Sequence, residues 1–358
     1  MDGMMKVLIA MSGGVDSSVA AKLLCDEGCE CIGCTMKLYD NCDAGLPRGR
    51  TCCSLDDVED ARSVAFSLGM RYYVFNFKDD FREKVIKKFA SGYLRGQTPN
   101  PCIDCNRYMK FDKLLERAKL LGCDKLATGH YARIEFDGEK YRLKKALDKS
   151  KDQSYVLYML TQEQLAHTLF PLGSLHKTDT RAIADAADLS SARKPDSQDI
   201  CFVPDGDYAA AIERLTGEKA PCGDFIDASG KILGTHRGIT HYTVGQHRGL
   251  GLSLPERRYV CGIDAEIGTV TLGGSDELYS STAEVRDFNW ISGEAPSEPI
   301  RCTAKIRYRQ PEQPATAIAR SDGSVTLHFD APQRAVTPGQ AAVLYDGNTV
   351  LGGGEIVR

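Results

Sequence analysis

The apolar run Lys6 to Met11 is followed by Ser12-Gly13-Gly14-Val15-Asp16-Ser17-Ser18, and this leads directly into Val19-Ala20-Ala21-Lys22-Leu23-Leu24. A buried strand, a Gly-rich turn and a helix in that order restrict the chain to an α/β fold built on a parallel sheet. The turn suits a phosphate. Its glycines let the backbone approach an anion with no Cβ in the way, and the N–H groups at the helix start face it with partial positive charge. Serine hydroxyls add donors, and Asp16 is a candidate ligand for Mg²⁺. The spacing is neither Gly-x-x-x-x-Gly-Lys-Ser/Thr nor Gly-x-Gly-x-x-Gly, which weakens kinase-like and dinucleotide readings.

The first third of the chain alternates strand and helix. Glu30 to Met36, Arg71 to Phe75 and Lys125 to Thr128 read as further strands. Ser54 reads as the cap of a helix whose apolar face is Val58, Ala61, Ala65 and Leu68. Phe81, Val85, Ile86 and Phe89 mark another helix, and Phe111, Leu114, Leu115, Ala118 and Leu121 the next. The pattern predicts a doubly wound, mostly parallel, Rossmann-like sheet with ligands at the carboxyl ends of its strands. Ser12 to Ser17, Met36 and Gly129 lie at such ends. Further on, Arg133 to Lys145 reads as a hairpin around Asp137-Gly138, Lys151 to Tyr155 opens a helix reaching Leu160, and another helix runs from about Asp179 to Ala187. Composition changes near Pro204. A Gly-rich stretch with short extended runs continues to about Tyr279, and short β-like runs from Ser281 onward predict a small antiparallel barrel or sandwich. The expected division is 1–204, 205–280 and 281–358.

With 358 residues, two or three cores are expected, and a formal charge of −4 argues against a protein that coats nucleic acid nonspecifically. Between Arg82 and Lys119 the balance is reversed, with ten basic residues against four acidic ones. This segment reads either as a patch that tracks a phosphate backbone or as a pair of solvated amphipathic helices, and charge alone does not choose. The start leads at once into a core strand, with no charged-then-apolar leader and no spanning apolar run, so a cytoplasmic protein is expected. Fourteen cysteines in that compartment point to metal, redox or catalytic thiols, or to plain core packing.

Gln97-Thr98-Pro99-Asn100-Pro101-Cys102-Ile103-Asp104-Cys105-Asn106-Arg107 is the second informative segment. Its two prolines predict an extended loop that presents its thiols, and Arg107 and Lys110 favour thiolate. Cys201 follows Asp199 on another polar loop, and two cysteine loops at one end of a sheet can meet as a nucleophile and persulfide pair. Half of a zinc site is the competing reading for Cys102 and Cys105, but no second pair stands at ordinary spacing, and Cys31 and Cys34 point to opposite faces of a strand. Cys42, Cys52 and Cys53, in a loop rich in Asp, Gly and Arg, read either as a labile metal or redox cluster or as incidental.

The turn at Ser12 to Ser18 resembles the PP-loop of enzymes that split ATP between the α and β phosphates to adenylate a carbonyl or amide oxygen. Eight ordered segments resemble one family, the tRNA-specific 2-thiouridylases: Ala10 to Ser18, Thr98 to Asn106, Ala127 to Tyr131, Lys151 to Tyr158, Asp199 to Phe202, Thr243 to Gly251, Thr303 to Gln310 and Thr337 to Gln340. The resemblance implies a PP-loop domain, a small central domain and a C-terminal β-barrel. It implies that Ala10, Met11, Ser12, Gly13, Gly14, Val15, Asp16, Ser17, Met36 and Gly129 bind ATP with Mg²⁺. Asn100, Pro101 and Cys102 would lie at the target base, and His130, Lys151, Asp152, Gln153, Arg307, Tyr308 and Gln340 would touch the tRNA at its anticodon loop. Cys105 would be the nucleophile and Cys201 the persulfide carrier, the two ending as a disulfide. The implied partner is a sulfur-donor protein, either a cysteine desulfurase or a sulfur carrier, and the expected state is a monomer.

Cys102 departs from the family pattern, in which many members carry an aspartate taken to be an acid or base; Asp104 is the nearest replacement. The substitution places a third thiol beside Cys105 and Cys201, which resembles thiolases that hold a [4Fe-4S] cluster on three cysteines. A rival reading is another adenylating amide or thio-synthetase of the same loop class; a second is a nucleotide-gated RNA- or metal-binding protein without catalysis.

Overall fold

Residues 4–39, 55–195, 200–203 and 205–357 are described by a computed structural model of the chain. Ser54, Cys42, Cys52, Cys53 and Asp199 lie outside the described residues.

β1 (Lys6–Ala10), β2 (Glu30–Lys37), β3 (Arg71–Asn76) and β4 (Lys125–Thr128) pair in parallel. β5 (Ala132–Phe136) and β6 (Tyr141–Lys145) form the expected hairpin, and the short β7 (Thr168–Leu169) completes the first sheet in the order β3-β2-β1-β4-β7. Alternation along β1 serves two cores. Leu8 packs with Ile32, Phe81 and Leu126 on one face, while Val7 and Ile9 pack with Val19, Ala20 and Ala61 on the other. The second face is covered by α1 (Val15–Asp26) and α2 (Leu55–Ser67). Cys31 and Cys34 fall in these two different cores, as expected of neighbours three apart on a strand.

The first face is covered by the basic helical segment. One helix runs through Lys78–Phe81, Arg82–Ile86 and Lys87–Leu94, and a second through Pro101–Asp104, Cys105–Leu114 and Leu115–Leu120. The middle part of each is π-helical. This corrects the expectation of an extended loop around the cysteines. Pro101 is the first helical residue, where its missing N–H costs nothing, and Asn100 caps the helix by accepting from Cys102 N at 3.1 Å. Cys102 and Cys105 therefore sit in the opening turns of a helix. The helix expected to reach Leu160 is only a 3₁₀ turn, Ser154–Leu157.

The central region opens with a helix, Tyr208–Thr216, capped by Asp207 and closed by left-handed Gly217. A four-stranded sheet follows in the order β10-β11-β8-β9, from β8 (Gly223–Ile226), β9 (Ile232–His236), β10 (Tyr259–Asp264) and β11 (Thr269–Gly273). The tail supplies β12 (Tyr279–Trp290), β13 (Ile300–Lys305), β14 (Gln313–Ala319), β15 (Val325–Arg334), β16 (Ala341–Asp346) and β17 (Thr349–Ile356). These run antiparallel, and pairing of β12 with both β15 and β17 closes them into a six-stranded barrel. The β5–β6 hairpin docks on this barrel through Lys144 opposite Thr349, tying the first sheet's chain to the tail.

Candidate active site

The Gly-rich turn is shaped by its own serines. Ser17 Oγ accepts from Ser12 N at 3.1 Å and donates to Gly14 O at 3.1 Å, while Ser18 Oγ donates to Gly14 O at 3.0 Å. Gly14 stands at the N-cap of α1 with no side-chain cap, so the helix start keeps its N–H groups for a ligand. Gly129 follows β4 against this turn. A Cβ there would lie 2.8 Å from Ser17 N, so the approach of the two segments requires glycine. Asp16 Oδ1 accepts from Lys177 Nζ at 2.6 Å and from Tyr131 OH at 3.0 Å. Lys177, at the start of the helix Lys177–Ala186, is a neighbour that the turn's own sequence gives no sign of.

A cavity of about 360 Å³ opens from the turn. Ala10, Met11, Ser12, Asp16, Ser17, Met36 and Gly129 line one part, and Pro101, Cys102, Cys105, His130, Gln153 and Cys201 line the rest. Thus the nucleotide loop and all three predicted thiols face one space, although they come from distant parts of the chain. Gly13, Gly14 and Val15 belong to the turn behind its surface. The Cys201 loop is held by Tyr39 OH, which donates to Cys201 O at 2.8 Å, and by Phe202, which packs edge-on to Phe81 and Phe89. A separate cavity of about 340 Å³ lies beyond Leu38 and Phe202; its described lining includes Lys78, Arg82, Lys87 and Arg214 but none of the thiols.

His130 is buried between Phe111 and Phe170, with ring centroids 6.0 and 5.9 Å away. Lys110 Nζ lies 3.4 Å from its Nε2, and Thr128 Oγ1 lies 2.7 Å from its Nδ1. An ammonium only donates, so Nε2 accepts, and the proton on Nδ1 is donated to Thr128. Burial, then the nearby Lys110 charge, holds the imidazole well below its ordinary value, and it is neutral.

The remaining predicted tRNA contacts frame the mouth or brace it. Gln153 and Tyr131 exchange hydrogen bonds of 2.9 Å, side chain to backbone and backbone to backbone. Asp152 is turned inward, accepting from Ala146 N at 2.9 Å and from Ser154 OH at 2.8 Å, and Lys151 N donates to Asp148 O. Gln340 Nε2 donates to Thr98 O at 2.5 Å, pinning the segment before Asn100 to the barrel. Tyr308 is 38% exposed, stands 5.8 Å from the Tyr155 ring and carries Lys305 over its own ring. Burial, with Asp152 and Cys102 nearby, pushes its phenol up. Arg307 differs from its neighbour. Its guanidinium donates to Val244 O at 2.9 Å, to Ala335 O at 3.2 Å and to Thr337 Oγ1, joining the central region to the barrel.

Asp104 and Arg107 turn away from the thiol cavity toward Lys88, Tyr158 and Glu355. Of the two cations expected beside the cysteines, Lys110 alone lines the cavity. Among the described residues no three His, Cys, Asp or Glu side chains gather as a metal-holding group, although Cys102, Cys105 and Cys201 are all described. A [4Fe-4S] cluster takes one thiolate on each of three irons, and the shared cavity of Cys102, Cys105 and Cys201 leaves that alternative open beside the persulfide pair. Asp16 with its lysine partner suits a Mg²⁺ that arrives on ATP oxygens and keeps most of its water, and not a resident ion in a protein cage.

Three family models together span nearly the whole chain. They are described as a tRNA methyl transferase HUP domain over residues 5–205, a tRNA methyl transferase PRC-barrel domain over 211–274 and an aminomethyltransferase beta-barrel domain over 280–356. The chain is 52% identical to the tRNA-specific 2-thiouridylase MnmA of Acetivibrio thermocellus, over 98% of this chain and 99% of that one. It is 47% identical to the protein of the same name from Clostridioides difficile, over 99% of this chain and 98% of that one. With matches of this extent, and with a PP-loop turn facing paired cysteines, the chain belongs to the MnmA family of tRNA-specific 2-thiouridylases.

Proposed function

We propose that this chain replaces oxygen by sulfur at C2 of the wobble uridine of tRNA, using ATP to activate the oxygen and a cysteine persulfide to supply the sulfur. The observation that carries this reading is the shared cavity of the nucleotide loop with Cys105 and Cys201. All three matching models are named for methyl or aminomethyl transfer, but a cavity lined by thiols beside a PP-loop suits sulfur chemistry. The likeness in name to 2-thiouridylases along the full chain supports the substrate.

A uracil oxygen is a poor leaving group, so activation comes first. The C2 oxygen attacks the α-phosphorus, the bond to the bridging oxygen breaks, and pyrophosphate leaves with that electron pair while the N3 proton passes to water. The N–H groups of the turn hold the departing charge. Mg²⁺ carried by ATP supplies further charge neutralisation when bound. The terminal sulfur of the Cys201 persulfide then attacks C2, and AMP departs with the C–O electrons. Cys105 attacks Cys201 Sγ, the sulfur–sulfur bond breaks, and its electrons pass to the sulfur on C2. The products are 2-thiouridine, AMP, pyrophosphate and a Cys105–Cys201 disulfide, which a cellular dithiol reopens.

The base must leave the anticodon loop to enter the cavity, which costs little from a loop. Pro101 and Cys102 line its path while Asn100 caps the helix that presents them, Tyr308 offers a stacking face, and the basic helices offer phosphate contacts. His130, Lys151, Asp152, Gln153 and Gln340 act here mainly by fixing the walls. The loading partner is a sulfur-donor protein, the setting is the cytoplasm, and the protein works as a monomer. Division into 1–204, 205–280 and 281–358 belongs to the same proposal and is supported by the spans of the three matching models.

The test is formation of 2-thiouridine in a tRNA transcript with ATP and a persulfide donor. One AMP per modified base is the expected stoichiometry. Pyrophosphate release with a small substrate and no need for RNA would favour the rival synthetase, and tRNA binding without AMP would favour a binding protein.

A further inference from the structure

The proposed reaction gathers negative charge in one cavity, from the α-phosphoryl group and from sulfur, and among the described lining residues a single Lys or Arg faces that charge: Lys110. The π winding of the helix puts it there. On an α-helix, residues five apart stand about 140° from each other around the axis. In Cys105–Leu114 the turn closes between i and i+5, so Lys110 comes round nearly above Cys105, and both line the cavity. Its amino group is aimed by His130, whose Nε2 accepts at 3.4 Å and whose ring is held by Thr128 and two phenylalanines. This partner is a neutral imidazole and not a carboxylate, so the lysine's charge is left for a ligand.

We propose that Lys110 is a catalytic residue of the adenylation: its ammonium holds the α-phosphoryl oxygens as the uracil C2 oxygen attacks and again as AMP departs. The backbone N–H groups of the turn serve the pyrophosphate end, and Lys110, lining the same cavity, serves the α-phosphoryl group. The inference rests on the ATP-dependent thiolation proposed above. A preorganised charge in a water-poor site acts on the transition state more than on bound ATP.

The experiment compares wild type, Lys110→Met and Lys110→Arg for AMP release with tRNA, ATP and a persulfide donor, alongside ATP affinity by calorimetry and thermal melting. Lys110→Met is expected to release AMP about 10² to 10³ times more slowly, with ATP affinity and KM for tRNA each within about threefold. Lys110→Arg, which restores the charge, is expected to recover at least about tenfold of that loss. AMP release by Lys110→Met within about threefold of wild type overturns the inference, as does a loss of ATP affinity that matches the loss of rate. If Lys110→Met melts early, Lys110→Gln is read by the same split, and wild-type rates in it overturn the inference. Failure of the wild-type protein itself to release AMP overturns the thiolation reading and this inference with it.

Discussion

Asp104 Oδ1 accepts a hydrogen bond from Lys88 Nζ at 2.8 Å, on the side of the helix that faces Glu355 and the barrel. Cys102, two residues earlier and so on the other side of the helix, lines the cavity shared with the nucleotide loop. The nearest carboxylate in sequence therefore braces the thiol helix and does not line the cavity that holds Cys102.

Asp104→Asn keeps the shape and removes the charge. Sulfur transfer is expected to stay within about threefold of wild type, and a loss beyond about a hundredfold would return Asp104 to the chemistry. Burial, opposed by Lys88, holds the Asp104 carboxyl above its ordinary value. A raised carboxyl binds its proton more tightly in the folded state, so its stabilising contribution is fullest in acid and is lost as pH rises from 3.8 through the folded value. Urea midpoints for the two proteins should thus diverge against wild type across that window. A difference independent of pH would contradict the buried setting.

Cys105→Ala and Cys201→Ala are each expected to abolish 2-thiouridine formation while binding ATP as wild type does, read by nucleoside mass spectrometry and calorimetry. Substantial thiolation by either variant removes its assigned role. Cys102→Ser should be mild, within about tenfold, because the persulfide route needs two thiols. About four irons and matching labile sulfide per chain in protein purified without oxygen, lost in Cys102→Ser, would overturn that route.

Gly129→Ala places a methyl group 2.8 Å from Ser17 N, against backbone that cannot swing aside. A weakening of ATP binding by tenfold or more is expected, with about 1–3 kcal/mol lost from stability. Unchanged affinity would mean that the turn relaxes freely and does not depend on this contact.

Arg307 and Tyr308 are adjacent but should separate cleanly. Arg307→Ala leaves buried acceptors without their donor and is expected to cost about 2–3 kcal/mol in unfolding experiments. It should also raise KM for tRNA by loosening the junction of central region and barrel, while sparing ATP binding. Tyr308→Ala should raise KM for tRNA with little change in melting temperature. A tRNA affinity unaltered in both would remove this part of the barrel from the RNA surface.

Much of the site was legible in the chain because its chemistry is local. The turn after β1 declares its ligand through glycines and a helix start a few residues away, and the strand patterns of β1 to β4 follow from apolar runs. The helix beginning at Pro101 is not legible in the chain, because proline opens a helix as readily as it blocks one and the choice depends on Asn100 capping Cys102. Lys177 beside Asp16, and Arg307 turned into the junction, depend on partners 161 and 28 to 63 residues away, for which no local pattern exists.

What the sequence by itself determined is the kind of chemistry: an anion-binding turn, a pair of candidate thiols, and the alternation that builds a parallel sheet to carry them. Each follows from short-range geometry, where a residue's neighbours decide its backbone. Tertiary structure alone decided the company each group keeps. It brought Cys201 to Cys105, turned Asp104 away from them and Lys110 toward them, and tied the hairpin Ala132–Lys145 to the barrel. The reason is that which side of a helix faces a cavity is set by winding and by long-range packing, and a π turn shifts Lys110 from the far side of its helix to the cavity side without changing a residue.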